Sequence, residues 1–118
     1  MIKLILADRN RDFLASYGKL LTLDGYEVKT AFDGTQVLEA AASGGVSLVL
    51  MNSSLPRIAS REIAAYLNEE AIPVIIFLED GEEGKAAFRD LQIAEFLQFP
   101  FEPASVRAAI DRVLAGRL

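Results

Sequence analysis

The sequence predicts an α/β domain built on a five-stranded parallel sheet with helices on both faces. Three observations carry this. Five short apolar runs recur along the chain, segments of helical period separate them, and Gly, Pro or Asp punctuates most junctions. Apolar strands alternating with helices imply a parallel sheet buried on both sides.

The elements follow in order. Residues 3–7 (KLILA) form a nearly continuous apolar run. Residues 10–23 place Phe13, Leu14, Tyr17, Leu20 and Leu21 at helical spacing, with Asp8 or Asn10 as the start cap and Gly25 as the stop. Residues 26–31 alternate apolar and polar side chains as a strand does, and Asp33-Gly34 is a turn. Residues 35–42 read as an alanine-rich helix with Val37, Leu38 and Ala41 inward, stopped by Ser43-Gly44-Gly45. Residues 47–51 (SLVLM) are a third strand, and residues 60–69 a helix burying Ile63, Ala64 and Leu67. Residues 72–78 (IPVIIFL) are the most hydrophobic strand. An acidic loop follows over residues 79–84, then a short helix over 85–91 and a last, weaker strand over 95–99. Pro103 opens a final helix with Val106, Ala109, Ile110, Val113 and Leu114 inward. Right-handed crossovers leave few ways to arrange these units, and at this size they predict a flavodoxin-like (βα)5 order, 2-1-3-4-5.

Composition narrows the function. The 118 residues are 52% hydrophobic, enough for a real core, and read as one domain over residues 1–118. A net charge of −5 with no basic stripe argues against direct nucleic-acid binding. No Cys is present for a disulfide or thiolate site, and no His for an imidazole ligand or relay. No 18-residue apolar run and no signal-peptide pattern occurs, so the expectation is a cytoplasmic protein without membrane contact.

In such a fold, ligands sit beyond the carboxyl ends of the strands, where the strand order reverses. The residues to read are Asp8-Arg9 after the first strand, Asn52-Ser53-Ser54 after the third, Leu78-Glu79 after the fourth and Phe99-Pro100 after the fifth.

At these positions the chain resembles the receiver domain of bacterial two-component response regulators. The blocks KLILAD, GYEVKTAFDG, SLVLMNSSLP, IPVIIFL and EFLQFPF, at matching spacing over nearly the whole chain, carry the resemblance. Gly25, Asp33-Gly34, Pro56, Pro73, Phe96 and Pro100 are its landmarks, Phe96 standing at the aromatic switch position. The resemblance implies two adjacent acids holding magnesium after the first strand and a phospho-acceptor Asp ending the third. It also implies a Thr or Ser ending the fourth strand, a Lys before the Pro after the fifth, and a cis bond before that proline, here Pro100.

The departures fall on those working positions. Arg9 stands at the second acid beside Asp8, Asn52 at the acceptor, Leu78 at the Thr or Ser, and Phe99 at the Lys. A neutral amide is a poor nucleophile for phosphorus, and magnesium prefers several hard oxygen ligands. Phosphoryl transfer leans on metal and cationic side chains. The expectation is a pseudo-receiver: no enzyme, no cofactor, no metal.

Several readings stand side by side. Asp8 is either a helix cap or the remnant of the acid pair. Arg9 either lies along the surface or points inward, its guanidinium replacing magnesium beside Asp8. Leu78 and Phe99 either plug the site as extra core or line a pocket for an apolar ligand. The acidic loop is a solvated face without EF-hand spacing for calcium. Asn52-Ser53 is a candidate for deamidation.

Function then rests on contact. The resemblance implies that the face of the fourth helix, fifth strand and fifth helix mediates dimerisation or output-domain contacts. Here that face offers Lys85, Arg89, Gln98, Arg107, Asp111 and Arg112. Mixed signs suit a specific protein partner, an output domain or a homodimer; a plain solvated surface is the other reading. The alternatives are a working phosphorelay receiver using Ser53 or Ser54, or a small-molecule sensor using the altered pocket. The sequence stops at Gly116-Arg117-Leu118, where the resemblance implies that a full regulator continues into an output domain.

Overall fold

The structure, a computed structural model, describes residues 1–116. Arg117 and Leu118, at the end of the chain after the last helix, lie outside the described residues. The element order is β1 (Lys3–Ala7), α1 (Arg11–Leu23), β2 (Glu27–Ala31), α2 (Gly34–Ala42), β3 (Leu48–Asn52), α3 (Ser60–Glu69), β4 (Val74–Leu78), α4 (Gly81–Ala86), β5 (Glu95–Gln98) and α5 (Pro103–Ala115). All four strand pairings are parallel, in the order β2-β1-β3-β4-β5, which is the flavodoxin-like (βα)5 arrangement the sequence predicts.

Strand alternation sorts the core into two layers. Ile5, Ala7, Val49, Met51, Val74, Ile76 and Leu78 face the layer of α2 and α3. Leu4, Leu6, Leu48, Leu50, Ile75 and Phe77 face α1 and α5. The central strands β3 and β4 are buried along their whole length, which is why they read as continuous apolar runs.

Local signals set the element ends. Asn10 caps α1 by accepting from the Phe13 amide at 3.1 Å. Gly25, at φ +98°, reverses the chain after α1, and Tyr26 N–H closes the turn on the Leu21 carbonyl at 3.2 Å. Tyr26 is thereby spent on the turn, so β2 starts one residue later than the alternation suggests. Pro73 has no N–H for the ladder and offers only its carbonyl, to Val49 N, so β4 starts at Val74.

The fourth helix differs from expectation. It occupies Gly81–Ala86, starting inside the stretch read as an acidic loop, and residues 87–91, read as part of the helix, are turns and a bend. Glu82 and Glu83 stand in its first turn, where negative charge complements the helix dipole. Phe88 N bonds Lys85 O and Leu91 N bonds Phe88 O, three-residue turns that bring buried Phe88 onto the core without a regular helix. Among the described residues, no helix is long and apolar enough to cross a membrane.

Candidate functional site

Asp8 extends the even-numbered alternation of β1, and Asn52 closes that of β3, so both side chains stand on the α1/α5 side at the sheet's carboxyl edge. They meet there. Asn52 Nδ2 donates to Asp8 Oδ2 at 3.1 Å, with Asp8 3% and Asn52 1% exposed. Asp8 Oδ1 accepts from Asn10 N at 2.8 Å, so Asp8 braces the turn into α1 while Asn10 does the capping. Asn52 Oδ1 accepts from Ser54 N at 2.8 Å. Ser53 N donates to Phe77 O at 2.9 Å. Buried Ser60 ties the same loop down, donating to Asn52 O at 2.8 Å and accepting from Leu55 N at 3.1 Å. Sequence reading missed Ser60; a serine opening a helix eight residues after the strand was the available signal.

Arg9 does not point inward. Its side chain is 58% exposed and pairs with Glu79 at 3.6 Å. The reading in which its guanidinium replaces a magnesium ion beside Asp8 is therefore overturned: the guanidinium lies exposed on Glu79, and Asp8 accepts instead from Asn10 N and Asn52 Nδ2. The donor set suits magnesium poorly. One carboxylate already accepts two hydrogen bonds, the amide turns its NH2 toward that carboxylate, and the neighbouring position carries a cation.

Leu78 and Phe99 do not form one plug, because they belong to opposite layers. Leu78, 1% exposed, lies under α4. A Cβ on Gly84 would come within 2.9 Å of Leu78 Cδ2, so a glycine is what lets α4 close over this side chain. Phe96, in the same layer, is half-buried, its ring tilted against Phe88 at 6.2 Å with Lys85 Nζ 5.5 Å above it. Phe99 is half-buried on the other side. It stacks on Phe101 at 4.5 Å and meets Phe13 and Phe77 edge-on at 5.7 and 6.0 Å. Phe13 in turn stacks on Tyr17 at 4.5 Å. Phe13, Tyr17, Phe99 and Phe101 were visible as apolar residues but not as one aromatic cluster. The Phe99–Pro100 bond is cis.

The remaining surface candidates divide between two sides of α5. Arg112 forks onto Glu95 of β5 with two 2.8 Å hydrogen bonds, which hold the Glu95 carboxyl below its ordinary range. Arg107 instead reaches Asp24 at the end of α1, at 2.6 Å, and Asp111 lies near the Tyr26 phenol. Burial first, then the nearby Asp111 and Asp24 carboxylates, raise the Tyr26 phenol. Lys85 pairs with Glu82 at 3.4 Å, Gln98 Nε2 donates to Phe99 O at 3.1 Å, and Arg89 is exposed. Lys85 and Arg89 line a shallow cleft of about 300 Å³ with Phe88, Leu91, Ile93 and Phe96. Below it, Arg61 grips Asp90 through two 2.6 Å bonds and caps Ala87 O at 2.8 Å, while Asn68 exchanges two hydrogen bonds with the Gln92 backbone. Hydrogen bonds from Arg61 hold the Asp90 carboxyl down at about 2.

A parallel 2-1-3-4-5 sheet with an acid after β1, a buried polar residue ending β3 and a cis proline after β5 defines the class of signalling receiver folds. Residues 4–111 match the response regulator receiver domain family, and the chain belongs to it. The transcriptional regulatory protein YkoG of Bacillus subtilis, itself uncharacterized, is 33% identical over 97 residues, covering 80% of this chain and 42% of YkoG. The alkaline phosphatase synthesis transcriptional regulatory protein PhoP of the same organism is 24% identical over 115 residues, covering 95% of this chain and 48% of PhoP. The chain spans about half the length of the curated relatives it matches. Among solved structures, the signal receiver domain of an HD domain-containing protein from Pseudomonas fluorescens superposes with a TM-score of 0.90 at 23% identity, covering 98% of this chain and 95% of that one. The receiver domain protein from Clostridium thermocellum gives 0.88 at 21%, covering 99% and 97%. At these identities the structural likeness speaks for the fold alone.

Proposed function

We propose that this receiver domain signals by protein–protein contact without accepting a phosphoryl group. The observation that carries the proposal is the Asn52 amide donating to buried Asp8. Where the family's chemistry calls for a carboxylate nucleophile, the chain has a neutral amide whose NH2 is engaged as a donor and whose oxygen accepts from Ser54 N.

The second support is steric. Leu78, at the position of the family's Thr or Ser, offers no hydroxyl to a phosphoryl oxygen and packs under α4 against Gly84. Phe99, at the position of the family's Lys, supplies a ring to an aromatic cluster instead of an ammonium. The Arg61–Asp90 and Asn68–Gln92 links fasten α3 to the segment between α4 and β5. These contacts favour one standing arrangement of the α4–β5 region, read by a protein partner, an output domain or a second copy. On this reading the domain is not an enzyme, works in the cytoplasm and touches neither nucleic acid nor membrane itself. The relatives' names and length suggest a place beside, or fused to, a regulatory output.

Incubation with acetyl phosphate and magnesium, followed by intact mass, tests the proposal. The expected result is an unchanged mass. A gain of one phosphoryl group overturns it, and peptide mapping then shows whether Ser53 or Ser54 carries the group.

A further inference from the structure

The mouth of the site holds a cleft of about 430 Å³ lined by Asp8, Arg9, Asn10, Phe13, Glu79 and Phe99. Its chemistry is uneven. The floor is a carboxylate, Asp8, almost wholly buried, fixed in place by two hydrogen bonds and without an ion-pair partner among the described residues. A carboxylate has about four acceptor positions, so two donors leave it capacity to spare. The walls are the Phe13 and Phe99 rings, set edge to face at 5.7 Å and each backed by a further stacked ring, Tyr17 and Phe101. The cleft's own cation, Arg9, sits at the rim on Glu79 at 3.6 Å, a long and exposed pairing that costs little to break.

A buried carboxylate lacking a counter-charge favours a cation that can reach it. Aromatic walls favour an organic cation carrying apolar surface over a hydrated metal ion, through apolar contact. Arg9 already occupies the outer acidic residue with a group of that kind.

We infer that this cleft binds a primary ammonium group on an apolar stem, with the ammonium on Asp8, the stem lying along the wall that Phe13 and Phe99 form together, and Arg9 displaced from Glu79. The inference is independent of how the domain meets its protein partner, and phosphoryl uptake at the site would not by itself decide it. Two sources share this chemistry: a free organic amine and a lysine side chain presented by a partner.

Titration of the whole chain, followed by amide resonances, tests it. Benzylammonium, and separately an N-acetylated, C-amidated Gly-Lys-Gly peptide, are added while the Asn10 amide and the Asn52 side-chain NH2 are monitored. Saturable shifts with a dissociation constant of about 1 mM or tighter are expected for at least one probe. The tighter of the two identifies the source. Benzyl alcohol, the neutral counterpart, is expected to leave both signals in place. Arg9→Ala removes the resident competitor and is expected to tighten binding about 2- to 5-fold, the fold-change to which an exposed ion pair converts. Asp8→Asn is expected to weaken it at least about 10-fold. Arg9→Ala lies at the exposed rim, so its tightening keeps the test alive should Asp8→Asn not fold. Absence of saturable shifts with both amines overturns the inference. So does equal binding of benzyl alcohol, no tightening in Arg9→Ala, or saturable binding of magnesium chloride at these same signals.

Discussion

Replacing Asn52 by Asp restores the carboxylate that the family resemblance implies, and its cost can be worked from the geometry. The new oxygen would stand about where Nδ2 now lies, 3.1 Å from Asp8 Oδ2, with both side chains nearly sealed from water. At an effective dielectric of about 20, two full charges at that distance repel by about 5 kcal/mol. Losing the amide's hydrogen bond to a charged group adds about 1.5–3 kcal/mol. The pair has a cheaper state, in which one carboxyl keeps its proton and donates it to the other. Holding a proton at pH 7 against an ordinary carboxyl value near 3.9 costs about 4 kcal/mol, and at pH 5 about 1.5 kcal/mol. Asn52→Asp is therefore expected to be destabilised by about 4 kcal/mol at pH 7 and by roughly 1–2 kcal/mol at pH 5. The sign follows from proton counting. Between these pH values the folded variant binds about one proton more than the unfolded chain, so its stability falls as pH rises. Urea unfolding of both proteins at the two pH values measures this directly. A deficit under about 1 kcal/mol at pH 7, or one independent of pH, would refute the coupling of Asp8 to position 52.

Further consequences follow from neighbouring contacts. Leu78→Ala should cost about 2–5 kcal/mol by emptying a buried site, whereas Gly84→Ala should cost about 1–3 kcal/mol by overpacking it. Their double variant should cost less than the sum, since the smaller residue makes room for the new methyl group; additive values in urea unfolding would sink the notch between β4 and α4. With Asp90 held down at about 2 by Arg61, the pair's contribution is present above the ordinary carboxylate value and lost as pH falls through about 2. Thermal melts of wild type and Asp90→Asn should accordingly differ near neutral pH and converge toward pH 2; a constant gap would contradict the assignment. Asn52 should resist deamidation in the folded chain, because Ser53 N is committed to Phe77 O and both ends of the Asn52 amide are held. Peptide mapping after prolonged incubation checks this, and conversion at Asn52 under native conditions would contradict it.

Much of the architecture was legible because burial on two faces leaves a plain mark. Short runs such as VIIFL, bounded by turn signals and rich in β-branched residues, read as central strands of a covered sheet, and β3 and β4 lie there. The position of Asn52 followed from topology, since the switch point between β1 and β3 selects the residues at those strand ends. Three features were not legible. Arg9 was misdirected because residue type says nothing about which way a side chain leaves a strand end; the exposed pairing with Glu79 after β4 decides it. The short helix Gly81–Ala86 carries two glycines and no apolar stripe, and its place is set by Leu78 beneath Gly84, a packing contact with the end of β4 that the helix's own residues do not announce. The aromatic cluster draws Phe13, Tyr17, Phe77, Phe99 and Phe101 from α1, β4 and the segment after β5, so no local window shows it.

The most direct test of a receiver domain that neither accepts phosphate nor rearranges for it is a pair of amide correlation spectra, recorded without and with beryllofluoride and magnesium as a phosphoryl mimic. Superimposable signals are expected for the Asn52 side chain and for the Phe88, Phe96 and Gln98 backbone amides. Saturable, concerted shifts at those four places would contradict that expectation.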